Sequence, residues 1–285
     1  MSCSQKSGSF CSMIESKKIL DHWHYRIDGD SCNPAILFLH GFAGSGREWN
    51  SIVQRLAVDF FCITVDLPGH GLTRIRSGQD LYRMPGCAAG LMKVLESLQQ
   101  RSCYLVGYSM GGRLALYLSV FYPEFFKRIV IVAASPGLEQ EAERHERMTK
   151  DTQWIRLLEM SGMEEFLKAW YDQPLFNTLK THPHFEELLS RRRENDPHEL
   201  AKSLYNMGLG VQDSLWHHWQ NNKIPALLVV GDLDDKYQSI AERMAYSCAV
   251  AQMAVIADCG HNVLYERPDE LTQVLKEFFS KVDND

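Results

Sequence analysis

Five residues, Gly107-Tyr108-Ser109-Met110-Gly111, constrain this chain more than any other feature. They follow directly on an apolar run, Cys103 to Val106, and lead directly into a helical run, Gly112 to Phe121. A G-x-S-x-G between a strand and a helix describes a nucleophile elbow, a tight turn that lifts a serine hydroxyl off the end of a parallel sheet. Small residues flank the serine because the strained turn leaves no room for a Cβ against the neighbouring strand and helix.

The rest of the chain supplies the sheet that such a turn requires. Ala35–Leu39, Phe61–Val65, Cys103–Val106, Arg128–Ala133, Ala226–Val230 and Gln252–Ile256 are short and almost continuously apolar. Strands covered on both faces of a parallel sheet read this way. His22 to Ile27 alternates more and suits an antiparallel edge strand. Helical patterns fill the gaps at Arg47–Leu56, Cys87–Leu98, Gly112–Phe121, Ile240–Ser247 and Asp269–Val282. From 139 to 222 no strand is evident, only helical segments interrupted by Gly162, Pro174, Pro183, Pro197 and Gly208 to Gly210. That run is too long for one connection. The expected fold is therefore α/β, a mostly parallel central sheet with helices on both faces. Residues 19–138 and 223–285 form the core, 139–222 an inserted helical cap, and 1–18 a flexible N-terminal extension.

Charge and cysteine usage narrow the function. The net charge is −6, and the densest basic cluster, Arg191-Arg192-Arg193, is flanked by Glu186, Glu187, Glu194 and Asp196. That reads as a solvated helix face, and no nucleic-acid partner is expected. No apolar stretch approaches the ~18 residues of a membrane span, so no membrane insertion is expected. Eight cysteines show no C-x-x-C pair and no metal spacing, which points to reduced thiols in a cytoplasmic compartment. The polar, Ser-rich start lacks the apolar core of a secretory signal. No metal and no organic cofactor is called for. The chain is read as a monomer, although nothing in the sequence specifies oligomeric state.

A serine nucleophile needs a base, and the base an orienting acid, which follow an elbow of this kind in the order acid, then His. Gly231-Asp232-Leu233-Asp234-Asp235-Lys236 comes after one predicted strand and Asp258-Cys259-Gly260-His261-Asn262 after the next. Catalytic groups of open α/β sheets gather at such carboxyl ends. His261 is the preferred base among eleven histidines, and Asp234 the preferred acid, with Asp232 and Asp235 as competitors. The oxyanion hole calls for the backbone N–H of Met110 and that of Phe42, in the loop His40-Gly41-Phe42-Ala43-Gly44-Ser45-Gly46. Asp66-Leu67-Pro68-Gly69-His70-Gly71 is assigned a structural role at the same edge.

Together, His40-Gly41-Phe42, Asp66 to Gly71, the elbow and Gly260-His261 resemble the α/β-hydrolase superfamily over nearly the whole chain. A finer resemblance runs through Gly107 to Arg113, Ser135-Pro136-Gly137-Leu138 with Glu146-Arg147, and Trp170-Tyr171-Asp172-Gln173-Pro174-Leu175-Phe176. Arg192 to Asn195, Leu200 to Leu204 and Gly231 to Lys236 complete it. These segments resemble the 2-succinyl-6-hydroxy-2,4-cyclohexadiene-1-carboxylate synthase family of menaquinone and phylloquinone biosynthesis. The resemblance implies a lyase that eliminates pyruvate from a cyclohexene polycarboxylate, with Ser109, His261 and Asp234 serving proton abstraction. It also implies that Tyr108 and Trp170 line the pocket, although plain cap packing is an alternative for Trp170.

Arg113, one turn into the elbow helix, and the cap residues Arg147 and Arg192 suit a multiply anionic substrate, because guanidinium binds carboxylate bidentately and stays charged. The bland alternative pairs Arg147 with Glu146 and Arg192 with Glu194 on the surface. The competing activity is a serine hydrolase, an esterase or a carbon–carbon bond hydrolase, built on the same triad. A ligand receptor on the same scaffold is a further reading that no residue specifically supports.

Overall fold

Successive residues of the central strands enter different apolar cores, which is why these strands read as unbroken apolar runs. Leu37, Leu39, Ile63, Val65, Leu105 and Ile129 face one core, with the helices Met84–Ser97, Met110–Phe121 and Asp235–Ser247. Ile36, Phe38, Cys62, Val106, Val130 and Val132 face the other, with the helices Asn50–Leu56 and Pro268–Phe279. The period-two alternation of side chains in a strand makes this division.

The computed structural model describes residues 16–19, 23–76 and 78–280. Among them eight strands form one sheet: β1 (Ser16–Ile19), β2 (Trp23–Asp28), β3 (Ala35–Leu39), β4 (Phe61–Val65), β5 (Cys103–Tyr108), β6 (Phe126–Val132), β7 (Ala226–Gly231) and β8 (Ala251–Ile256). Their order is β1-β2-β4-β3-β5-β6-β7-β8. The first two strands are antiparallel and the other six parallel. The winding reverses between β3 and β5, and a crevice opens there outside the strand ends. The loop after β3 and the elbow after β5 face each other across it.

The extension expected over 1–18 falls mostly outside the described residues. Ser16–Lys18 lie in β1, paired backbone to backbone with Tyr25, Arg26 and His24 of β2; residues 1–15 lie outside the described residues. Exposed edge N–H and C=O groups of β2 recruit this pairing without needing an apolar pattern.

Between β6 and β7 the described chain carries helices and loops only. The longest helix, Glu141–Tyr171, kinks at Gly162, whose φ of 75° and ψ of −170° are non-helical. Pro197 opens the helix Pro197–Met207, and the preceding Asp196 side chain accepts the His198 N–H at 2.8 Å. Proline in the first helical turn after an acidic cap is a standard start, since its missing N–H would have no partner there. A third apolar cluster, including Leu158, Phe166, Tyr171, Phe176, Leu188 and Leu200, binds these helices to Ala43 in the loop after β3. The cap thus seats directly on that loop. No helix among the described residues is long and apolar enough to cross a membrane.

Candidate active site

The glycines of the elbow are there for space. A Cβ on Gly107 would stand 2.3 Å from the Gly111 carbonyl oxygen, and one on Gly111 2.3 Å from the Leu39 carbonyl oxygen. Ser109 adopts φ 51° and ψ −109°, a sparsely populated conformation that costs on the order of 1–3 kcal/mol. The fold holds it by a 2.9 Å bond from the Ser109 N–H to the Val132 carbonyl of β6.

His261 bridges the serine and an aspartate. Its Nε2 lies 3.2 Å from Ser109 Oγ, and its Nδ1 lies 2.7 Å from Asp234 Oδ2. The imidazole and the carboxylate are both buried. A carboxylate accepts only, so Nδ1 carries the proton and Nε2 is left to receive one from Ser109. The competing aspartates are placed otherwise. Asp232 accepts the Cys259 N–H at 3.0 Å, and that bond holds its carboxyl below the usual range. Asp235 begins the helix Asp235–Ser247, and neither nitrogen of His261 bonds to it. One residue that went unread is Tyr237, whose ring lies 4.6 Å from that of His261.

The loop after β3 is organised by His40. Its Nδ1–H donates to the Gly41 carbonyl at 2.7 Å, and its Nε2 accepts the Leu67 N–H at 2.9 Å. Complete burial lowers the pKa of His40 to about 4, so it remains neutral in this one tautomer. The Gly41 carbonyl and the Phe42 N–H share one planar trans peptide, so fixing the carbonyl aims the N–H the opposite way. Among the described residues neither the Phe42 N–H nor the Met110 N–H has an acceptor in the protein. Two such donors beside a serine can stabilise an oxyanion. Asp66 ties the neighbouring loop, accepting N–H groups of Gly46 and Leu72 at 2.7 Å each.

These groups open on a cavity of about 560 Å³, lined also by Tyr108, Arg113, Arg147, Trp170 and Arg192. Ser109, Asp234, His261, Phe42, Met110 and the five candidate substrate contacts thus line one cavity, whereas Asp232 does not. A second cavity of about 550 Å³ lies behind Leu204 and Met207 and contains none of them. Trp170 packs and lines at once: it stacks on Phe166 with ring centroids 5.3 Å apart and also meets Phe42.

The arginines differ in how far their charge is already compensated. Arg113 donates to neutral acceptors, Gln212 Oε1 at 2.7 Å and the Met207 carbonyl at 2.8 Å. Burial and the neighbouring Arg147 bring its pKa down to about 10, which leaves it protonated at neutral pH. Arg147 pairs with Asp151 at 2.8 Å, not with Glu146, which holds Lys150. Arg192 is buried against Glu48 and bonds Tyr171 Oη at 3.0 Å, while Glu194 pairs with Arg47. Burial opposes the charge of Arg192, but Glu48 more than offsets it and holds the guanidinium protonated. The local glutamates named by the sequence are thus the wrong partners. Glu48 is distant in the chain, and no local signal announces it.

Comparison with known proteins bears on the fold and the family. The alpha/beta hydrolase fold family matches residues 34–268. An Arabidopsis thaliana relative, Protein PHYLLO, chloroplastic, is 34% identical over 87% of this chain, which spans 15% of that protein's length. The putative 2-succinyl-6-hydroxy-2,4-cyclohexadiene-1-carboxylate synthase of Bacillus subtilis is 30% identical, covering 90% of this chain and 93% of its own. The synthase of the same name from Escherichia coli O1:K1 / APEC is 31% identical over 85% of this chain and 94% of its own. The solved structure of MenH from S. aureus superposes with a TM-score of 0.86 and 28% identity, over 91% of this chain and 98% of that one. With the elbow, the buried His–Asp pair and the capped sheet in place, the chain belongs to the α/β-hydrolase family, among the 2-succinyl-6-hydroxy-2,4-cyclohexadiene-1-carboxylate synthases.

Proposed function

We propose that this protein eliminates pyruvate from 2-succinyl-5-enolpyruvyl-6-hydroxy-3-cyclohexene-1-carboxylate to give 2-succinyl-6-hydroxy-2,4-cyclohexadiene-1-carboxylate. The observation that carries this reading is the joining of a Ser–His–Asp array and three arginines in one cavity, in a chain matched nearly end to end by synthases of that name. A neutral ester would have no use for so many cations, whereas a substrate with several carboxylates does.

In the proposed reaction Ser109 passes its proton to His261, whose imidazolium is stabilised by Asp234, and the alkoxide removes the proton from ring C2. The electrons shift onto the succinyl carbonyl oxygen, where the N–H groups of Phe42 and Met110 receive the charge. Each such donor is worth roughly 3 kcal/mol to a transition state that develops an oxyanion. Collapse moves the ring double bond into conjugation and breaks the C5–O bond. The enolpyruvate leaves, takes up a proton and becomes pyruvate. No acyl-enzyme and no hydrolytic water take part. Arg113, whose hydrogen-bond acceptors are neutral, is the cation best able to take a substrate carboxylate. Arg147 and Arg192 share theirs with Asp151 and Glu48.

The test is to incubate purified protein with the cyclohexene substrate and quantify both products. Pyruvate and the cyclohexadiene formed one to one support the reading. Cleavage of a simple aryl ester without pyruvate release would return the chain to the hydrolases.

A further inference from the structure

The loop that carries Phe42 is held from two sides, and one of them is the cap. Asn195, between the helices Phe185–Arg193 and Pro197–Met207, is 8% exposed. Its Nδ2 donates to the Ala43 carbonyl at 2.9 Å, and its Oδ1 accepts the Gly71 N–H at 3.0 Å. The next peptide continues the line, since the Gly44 N–H donates to the Gly41 carbonyl at 3.0 Å. The Ala43 carbonyl and the Gly44 N–H belong to one peptide unit, and the Gly41 carbonyl and the Phe42 N–H to another. Two planar peptides in series therefore join the Asn195 amide to the Phe42 N–H. Ala43 itself has a φ of 58°, a left-handed conformation that a non-glycine residue keeps only when its surroundings enforce it.

We propose that Asn195 is a positioning residue for the oxyanion hole, acting from the cap through Ala43, Gly44 and Gly41 on the Phe42 N–H. The chain of bonds fixes the direction of that N–H and, by aligning successive dipoles, strengthens it as a donor. The hole is complete only while the cap is seated. The inference rests on the role given above to Phe42, and it holds whichever substrate fills the cavity.

The test uses Asn195→Asp and two readouts on the full chain. Asp keeps an acceptor for the Gly71 N–H but sets an acceptor against the Ala43 carbonyl, so it breaks this line specifically. The expected result is a kcat lower by about tenfold to a hundredfold, the order of loss that follows a small misplacement of a catalytic group. KM for the anionic substrate should stay within about threefold, since no contact made equally in ground and transition states is lost. The second readout is the binding of phenylboronic acid, which Ser109 Oγ attacks to give a tetrahedral boronate with an oxygen in the hole. Its affinity should fall in parallel with kcat. Glu194→Gln, which cuts the neighbouring exposed bridge to Arg47, should change neither. If Asn195→Asp does not fold, Asn195→Ala removes the same donor without a charge and carries the same expectation. Unchanged kcat and boronate affinity in a folded variant, or a raised KM alone, would overturn the proposal. The boronate readout needs no natural substrate, so failure of this inference is separable from failure of the lyase reading.

Discussion

Asp234→Asn should nearly abolish turnover while leaving the protein folded. The carboxylate sits 2.7 Å from His261 Nδ1 at a buried position, where only an acceptor keeps the proton on that nitrogen. An asparagine of the same shape can present its NH₂ group instead, which favours the opposite tautomer and leaves Nε2 protonated against Ser109. In a serine protease the corresponding change costs about 10⁴-fold in kcat, or roughly 5.5 kcal/mol at 1.36 kcal/mol per decade. Asp234 and His261 are both buried here, so a loss of that order is expected. Stability should change little, because Asp234 also receives the Tyr237 N–H at 3.4 Å and asparagine caps a helix about as well as aspartate. The assay is pyruvate release coupled to NADH oxidation, run beside thermal unfolding. Asp235→Asn should stay within about threefold of wild type, the size of effect expected from a surface charge change. Equal losses at 234 and 235, or a loss at 234 below about tenfold, would refute a mechanism in which this carboxylate sets the tautomer.

Further outcomes follow from the same geometry. Ser109→Gly should remove turnover yet raise stability by about 1 kcal/mol, because glycine accepts the positive φ that serine does not; kinetics and denaturant unfolding of one preparation check both. Arg113→Ala should lower kcat/KM for the anionic substrate by about tenfold to a hundredfold, as loss of a charge-assisted bond of 1.5–3 kcal/mol implies, with little effect on aryl ester cleavage. Arg192→Leu should instead cost roughly 3–5 kcal/mol of stability by stranding the buried Glu48, read from its denaturation midpoint. His40 has a folded pKa of about 4, below its unfolded value of about 6.5. It contributes stability in full above pH 6.5, and that contribution is lost as pH falls from about 6.5 to about 4, by on the order of 3 kcal/mol. His40→Gln should therefore flatten this part of the stability profile, measured by urea unfolding at pH 7 and pH 4.5.

What the sequence disclosed, and what it withheld, follows the range of the interactions. The elbow was legible because its requirements are local: a Cβ at Gly107 or Gly111 would collide with backbone that the turn itself and the neighbouring strand supply. The parallel strands were legible because burial on both faces leaves continuous apolar runs, and their observed ends differ from the expected ones by at most two residues. The triad acid was read as Asp234 with Asp232 and Asp235 left in competition, since the three neighbours differ in where each carboxylate points. Arg192 was found by charge, but its partner Glu48 lies 144 positions away and carries no motif. Asn195 falls in a resembling segment but drew no role of its own, because its partner Ala43 lies 152 positions away. Strand β1 escaped because edge pairing uses backbone alone.

The account stands or falls on proton abstraction at ring C2 without acyl transfer. Single-turnover mixing of excess protein with substrate deuterated at C2 tests this directly, with pyruvate and the mass of the protein followed together. The account predicts that pyruvate forms, that its formation slows on deuteration, and that the protein mass never changes. Unslowed release, or a covalent adduct on Ser109, would contradict it.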